Sequence, residues 1–243
     1  MESKILIKMN KSLNNIAIIP ARFGSKRIKN KNIKTFNSKP MIEWTFRLLK
    51  KSKLFQGIAL TSENERILKL GKKIGFDILI KRPNHLANDF AGTHPVINHA
   101  IRNLKKKIQI GNVCCVYPCN PFLQISDLKK AFRLIKNNKK KFLLTVSKFT
   151  HPIERAFSFN QKNNRIKFIN RKFLRYRTQD MADKYFDAGQ FYLAQKDVWL
   201  KKKLINRIGI KIPNWRMVDI DTIEDWERAE LFYNFLKSKK LIK

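Results

Sequence analysis

Ile16-Ala17-Ile18-Ile19-Pro20-Ala21-Arg22-Phe23-Gly24-Ser25-Lys26-Arg27 decides the fold. Four apolar residues in a row, stopped by a proline, read as a strand covered on both faces, the pattern of a parallel sheet. The polar run that follows, 21–32, then leaves the strand's carboxyl end, where open α/β sheets bind their ligands. Beyond it, Met41, Ile42, Thr45, Leu48 and Leu49 recur at helical spacing, predicting a helix from Pro40 to about residue 51 with the proline in its first turn. The same reading predicts strands at 57–62, 77–80 and 113–117. It predicts helices at 65–74, 94–107 and 127–137, the last capped by Ser126. Strand and helix alternate, so the expected class is α/β with a mostly parallel sheet between helices.

Residues 141–194 break that rhythm. Strands at 142–149, 165–169 and 186–194 have no long helix between them, and the segment is expected to form an inserted β-rich lobe. A helix at about 196–203, a strand at 217–221 and a helix at 223–239 return to the main pattern. Thr222 with Asp225 three residues on resembles a capping box. The domain reading is a charged N-terminal extension at 1–14, expected to be disordered, and a single domain at 15–243. Met9 is a second candidate first residue.

The chain has 243 residues, 43% of them hydrophobic, enough to bury a core. Lysine and arginine number 53 against 18 acidic residues, a net charge of +35. That excess advertises a polyanion partner. It is scattered, however, with short runs at 105–107, 139–141 and 201–203 near the ends of predicted helices, and no nucleic-acid-binding signature accompanies it. The expectation is a solvated basic surface with no specific nucleic acid and no membrane. A non-catalytic polyanion-binding protein is the alternative, favoured by the charge alone. Cys114, Cys115 and Cys119 give no disulfide framework, which points to the cytoplasm. Neighbours in a strand face opposite ways and no second ligand pair lies near, so core packing is preferred to zinc.

Two constellations carry chemistry. In the loop after the first strand, Arg22, Lys26 and Lys31 can neutralise a polyphosphate, Ser25 adds a hydroxyl, and Gly24 lets the backbone approach. The alternative is a solvated basic turn, since neither a Walker pattern nor G-x-G-x-x-G is present. The second constellation is Asp219-Ile220-Asp221. In a strand the two carboxylates share a face, and a divalent cation with oxygen ligands relieves their repulsion. The alternative is an Asp before a helix cap and an Asp paired with an arginine. Together the two constellations suggest nucleotidyl transfer.

The run 19–28 with Lys31-Asn32 closely resembles the first signature of the acylneuraminate cytidylyltransferases. Arg82-Pro83, Leu86-Ala87 and Asp89 resemble the next signature, and 219–222 the late metal-site motif. The likeness covers about 15–235. Tyr117 to Gln124, His151 to Ala156, Asp187 to Tyr192 and Asp219 to Glu230 look like the branch that acts on pseudaminic acid. Phe23 and Cys119-Asn120 depart from the usual pattern. The resemblance implies a Rossmann-like nucleotide-diphospho-sugar transferase fold, with the lobe at about 141–194 serving dimerisation. It also implies a homodimer that takes CTP and a nonulosonic acid sugar with magnesium and forms the CMP-sugar and pyrophosphate. Sialic, legionaminic or 3-deoxy-manno-octulosonic acid is the alternative sugar. By the same resemblance Arg22 and Lys26 are catalytic with Asp219 and Asp221, which also bind the metal. Ala21, Arg22, Gly24, Ser25, Lys26, Lys31, Asn32, Arg82 and Thr93 hold the nucleotide, the last-named Arg and Thr on the cytosine side. Tyr117, Asp187 and Gln190 face the sugar. Arg155, Arg175 and Arg177 are candidates for its carboxylate.

Overall fold

The computed structural model describes residues 5–7, 12–88, 90–203 and 206–242. In chain order its strands are β1 (Ile5–Ile7), β2 (Ser12–Pro20), β3 (Thr35–Phe36), β4 (Lys39–Pro40), β5 (Gly57–Ser62), β6 (Ile78–Lys81), β7 (Gln109–Val116), β8 (Phe142–Lys148), β9 (Phe157–Asn160), β10 (Arg165–Phe168), β11 (Tyr185–Gln195) and β12 (Arg207–Lys211). Its helices are α1 (Met41–Ser52), α2 (Glu65–Ile74), α3 (Thr93–Leu104), α4 (Ile125–Lys136), α5 (Lys196–Trp199) and α6 (Ile223–Ser238).

One sheet runs β1-β6-β5-β2-β7-β11-β8-β12. β2 pairs in parallel with β5 and β7, β5 with β6, and β8 with β12. β11 is antiparallel to both its neighbours, and β1 is antiparallel to β6. The isoleucine run of β2 is buried because both faces are covered. Ala17 and Ile19 pack with Ile42 and Leu49 of α1, Ile67 of α2 and Leu128 of α4. Ile16 and Ile18 pack with Ile97 and Ala100 of α3 and Trp199 of α5. Each of these isoleucine and leucine side chains contributes about 2 kcal/mol on leaving water. Cys114 and Cys115 fall on opposite faces of the sheet, one in each layer, as unpaired core residues. β2 ends at Pro20, which has no N–H to continue a central ladder. A third cluster joins Phe36, Met41 and Phe122 to Trp226 and Tyr233 of α6.

Several expectations are corrected. Residues 5–7 form an edge strand, and β2 starts at Ser12, so the main sheet takes in part of the 1–14 extension; Met9 lies outside the described residues. Pro40 closes a two-residue strand and immediately precedes α1. Ser126 lies inside α4, whose N-cap is Gln124. The helix expected at 196–203 is the single turn of α5. β8 and β11, taken above as part of the lobe, belong to the main sheet, with β11 filling the place between β7 and β8. Only 149–184 leaves it, as the β9–β10 hairpin and short turns.

The strand expected at 217–221 is absent as well, while β12 takes the sheet edge beside β8. With that place filled, 212–221 crosses the carboxyl edge as an irregular strap. Side chains hold it there: Ser147 Oγ donates to Ile212 O at 3.0 Å, and the Arg216 guanidinium pairs with Asp127 of α4 in a buried ion pair. The helix after the strap opens with the Thr222–Asp225 capping box.

Replacing Asp127 by Ala strands a buried guanidinium. We expect a stability loss of about 3–5 kcal/mol in urea unfolding, and a loss below about 1 kcal/mol would contradict the anchoring role.

Candidate active site

The carboxyl edge of the sheet and the strap enclose a cleft of about 580 Å³. Arg22, Ser25, Lys26, Lys31, Asn32, Arg82, Thr93, Tyr117, Asp187, Gln190, Asp219 and Asp221 all line it, although they come from six separate stretches of chain. Of the predicted nucleotide residues, Ala21 and Gly24 do not. Ala21 is buried, its N–H donating to Thr61 O at 3.0 Å. A Cβ on Gly24 would meet nothing within 4 Å, so the fold's own packing does not require glycine there. Arg155, Arg175 and Arg177 do not line the cleft; Arg155 donates to the carbonyls of Leu174 and Tyr176 within the 149–184 segment. Asp89, quoted with the second signature, lies outside the described residues.

On one wall, the loop after β2 is braced from within. Asn32 Nδ2 donates to Arg22 O at 2.7 Å, and Cys119 Sγ donates to Asn32 Oδ1 at 3.4 Å. The Asn32 amide therefore shapes the loop. Burial pushes the Cys119 thiol up to about 12, so it stays protonated and keeps donating.

Opposite stand the two carboxylates of the strap. Ile220 is buried in the third cluster, and Asp219 and Asp221, its neighbours in the chain, both line the cleft although no strand ladder holds them. Asp221 is held by Arg27 at 2.6 Å and Lys31 at 3.2 Å, while Lys31 Nζ also donates to Ile220 O at 2.7 Å. Asp219 makes no hydrogen bond or ion pair with another described residue. Burial, then the charge of Asp221, raises its carboxyl above the ordinary aspartate value. Among the described residues no group of three or more His, Cys, Asp and Glu could hold a metal. Two carboxylates facing a basic loop fit a hard cation that completes its shell with substrate phosphates and water.

The remaining wall is built by an irregularity in β11. Its register against β8 shifts between Asp187 and Tyr192, and Gly189 sits at φ +59°, in the left-handed region that suits glycine. This turns Asp187, Ala188, Gly189 and Gln190 toward the cleft. Asp187 accepts from Gly189 N at 2.9 Å and from Tyr192 OH at 2.8 Å, so both its oxygens shape the bend. Gln190 is buried, with Nε2 donating to Arg216 O at 2.8 Å and its N–H to Thr145 Oγ1 at 3.1 Å. The Thr93 and Tyr117 hydroxyls hydrogen-bond to each other, and burial raises the Tyr117 phenol. Sequence reading gave no role to Arg27, Glu63, Cys119, the Asp127–Arg216 pair or Asn120, whose Nδ2 donates to Gln190 O at 3.2 Å. Arg27 and Cys119-Asn120 lay within quoted motifs, and Glu63 carried a signal as a rare acidic residue directly after a strand.

A basic loop at a parallel sheet's carboxyl edge, facing paired carboxylates across a cleft of nucleotide size, defines a nucleotidyltransferase. The family model described as cytidylyltransferase matches residues 16–240, and the chain belongs to that family. The pseudaminic acid cytidylyltransferase of Campylobacter jejuni is 36% identical over 91% of this chain and 97% of its own length. The N-acylneuraminate cytidylyltransferase of Escherichia coli is 26% identical over 88% of this chain and 51% of its own length. Among solved structures, CMP:2-keto-3-deoxy-manno-octonic acid synthetase complexed with CTP shares the fold with a TM-score of 0.67. That likeness covers 93% of this chain and 99% of the other, at 14% identity. The enzymatic class replaces the non-catalytic polyanion-binding alternative.

A carboxyl raised in the folded state destabilises the fold where it is ionised and ceases to do so once protonated. Asp219→Asn should therefore raise the melting temperature of the ligand-free protein at neutral pH. The gain should shrink as pH falls through the raised value and vanish below the ordinary aspartate range. A gain that persists or grows in acid would contradict the electrostatic cause.

Proposed function

We propose that the protein joins CTP to a nonulosonic acid of the pseudaminic type, forming the CMP-sugar and releasing pyrophosphate. The observation that carries the reaction is the one cleft in which the loop cations face Asp219 and Asp221. The sugar class is supported by the 36% identity to the pseudaminic acid enzyme across nearly the whole of both chains.

In this reading Arg22, Ser25 and Lys26 hold the triphosphate. Arg82 and Thr93 face the cytosine, whose O2 and N3 accept hydrogen bonds from a guanidinium. Asn32 keeps the loop in shape beneath phosphate and ribose, and Lys31 ties it to Asp221. Tyr117 and Gln190 flank the sugar, with Asp187 fixing the bend that presents them. The sugar's anomeric oxygen attacks the α-phosphorus and its hydroxyl proton passes to solvent, while the α–β phosphoanhydride bond breaks and pyrophosphate leaves opposite. Little covalent work falls to the protein in such a transfer, so positioning and fixed positive charge carry the catalysis. Asp219 and Asp221 would hold magnesium, which when bound neutralises charge on the phosphates.

We further propose a cytoplasmic homodimer joined through 149–184, where Phe157, Phe159, Ile166 and Ile169 are exposed on one projecting segment. Among the described residues no helix is long and apolar enough to cross a membrane.

Pyrophosphate release from CTP and magnesium with pseudaminic acid, beside sialic, legionaminic and octulosonic acids, tests the reaction and the sugar together. Release with pseudaminic acid alone is expected, release with another sugar overturns the sugar assignment, and release with none overturns the reaction. Asp219→Ala and Asp221→Ala should each lower turnover at least about a hundredfold while still melting cooperatively. Near-normal turnover in both would contradict their role. Light scattering should give twice the chain mass, and a monomer at micromolar concentration would refute the dimer.

A further inference from the structure

Three consecutive residues, the last two of β5 and Glu63 just beyond it, join the loop after β2 to Arg82. Thr61 O accepts Ala21 N at 3.0 Å, and Ser62 O accepts Arg82 N at 3.0 Å, extending the sheet ladder on both sides. Glu63 then does with its side chain what the backbone no longer can. Its Oε1 accepts Phe23 N at 2.7 Å, and its Oε2 accepts Arg82 Nη2 at 2.9 Å and Nε at 3.3 Å. Glu63 has little freedom of its own, lying between the last residue of β5 and Asn64, the N-cap of α2.

Arg82 is the loop-side cation most withdrawn from water, its side chain 3% exposed against 14% for Glu63. Burial disfavours its charge, and Glu63 is the counter-charge that sustains it. The contact is also directional. One carboxylate oxygen engages the Nε–Nη2 edge of the guanidinium and fixes its plane, leaving the Nη1 edge for another acceptor.

We propose that Glu63 is a positioning residue that sets base selectivity, by fixing the Arg82 guanidinium relative to the loop that holds the triphosphate. This rests on the reading of Arg82 as the cytosine-side residue. A fixed donor edge suits cytosine, whose N3 accepts a hydrogen bond, and opposes uracil, whose N3 carries a hydrogen. An Arg82 free to swing would lose that discrimination, because the wrong base would no longer meet a donor it cannot satisfy.

Glu63→Gln separates the two contacts: its amide oxygen can still accept from Phe23 N, while its NH2 replaces the acceptor at Arg82. Calorimetric titration with CTP and with UTP, each with magnesium, reads the effect on binding directly. We expect CTP affinity to fall about tenfold with UTP affinity nearly unchanged, so that the ratio narrows. Arg82→Lys should narrow it as well, and the double variant should bind CTP no more weakly than Arg82→Lys alone. Parallel weakening of CTP and UTP, or a wild-type ratio in Glu63→Gln, would overturn the proposal and leave the nucleotide site standing. If Glu63→Gln does not melt cooperatively, Arg82→Lys decides, and a wild-type ratio there overturns the proposal. Failure of the wild-type protein to bind CTP would instead overturn the reading of the cleft, and the proposal with it.

Discussion

Level ends of three parallel strands set the geometry on which the cleft depends. Pro20 stands opposite Thr61, and Ser62 opposite Lys81, so β2, β5 and β6 finish side by side and deliver the loop, Glu63 and Arg82 to one edge. That registration is carried by the parallel ladders of β2 with β5 and β5 with β6, with Ala17 and Ile19 packed in one layer and Ile16 and Ile18 in the other. The strap with Asp219 and Asp221 has no such ladder. It is placed by the Asp127–Arg216 ion pair and by Gln190 and Ser147, all of them buried polar side chains. One wall is thus fixed by the sheet and the other by buried polar groups reaching across it.

The fold was legible wherever periodicity was strong and packing simple. The boundaries of β5 and α2 coincide with those read from the chain, because a six-residue apolar strand and a helix closed by Gly75 each carry their own punctuation. What escaped reading is non-local. β11 pairs with strands distant in sequence, and nothing along 141–194 says that its first and last strands join the main sheet while the middle leaves it. β12, with alternating Ile208 and Ile210 between charged residues, reads as surface until an edge strand is known to lack a partner there. With β12 at the sheet edge beside β8, 217–221 has no place in the ladder.

Which residues gather at the cleft was legible through motif and charge, and the contacts they make within the protein were not. Nearly every predicted residue reaches the cleft, yet Asn32 and Asp187 use their polar atoms on the protein's own backbone and a tyrosine hydroxyl, which makes them shapers of the site. The two aspartates, identical in the chain, differ in the fold: one is neutralised by Arg27 and Lys31, the other has no partner among the described residues and resists ionisation. The +35 charge proved a poor guide beside these placements. A few cations matter because the strand ends gather them, while most of the rest coat the surface.

A crystal structure with CTP and magnesium tests the account most directly. It predicts the base against Arg82 and Thr93, the triphosphate along 22–26, and the metal at Asp219 and Asp221. A nucleotide bound in the reverse sense, or away from the carboxyl edge of β2, would contradict it.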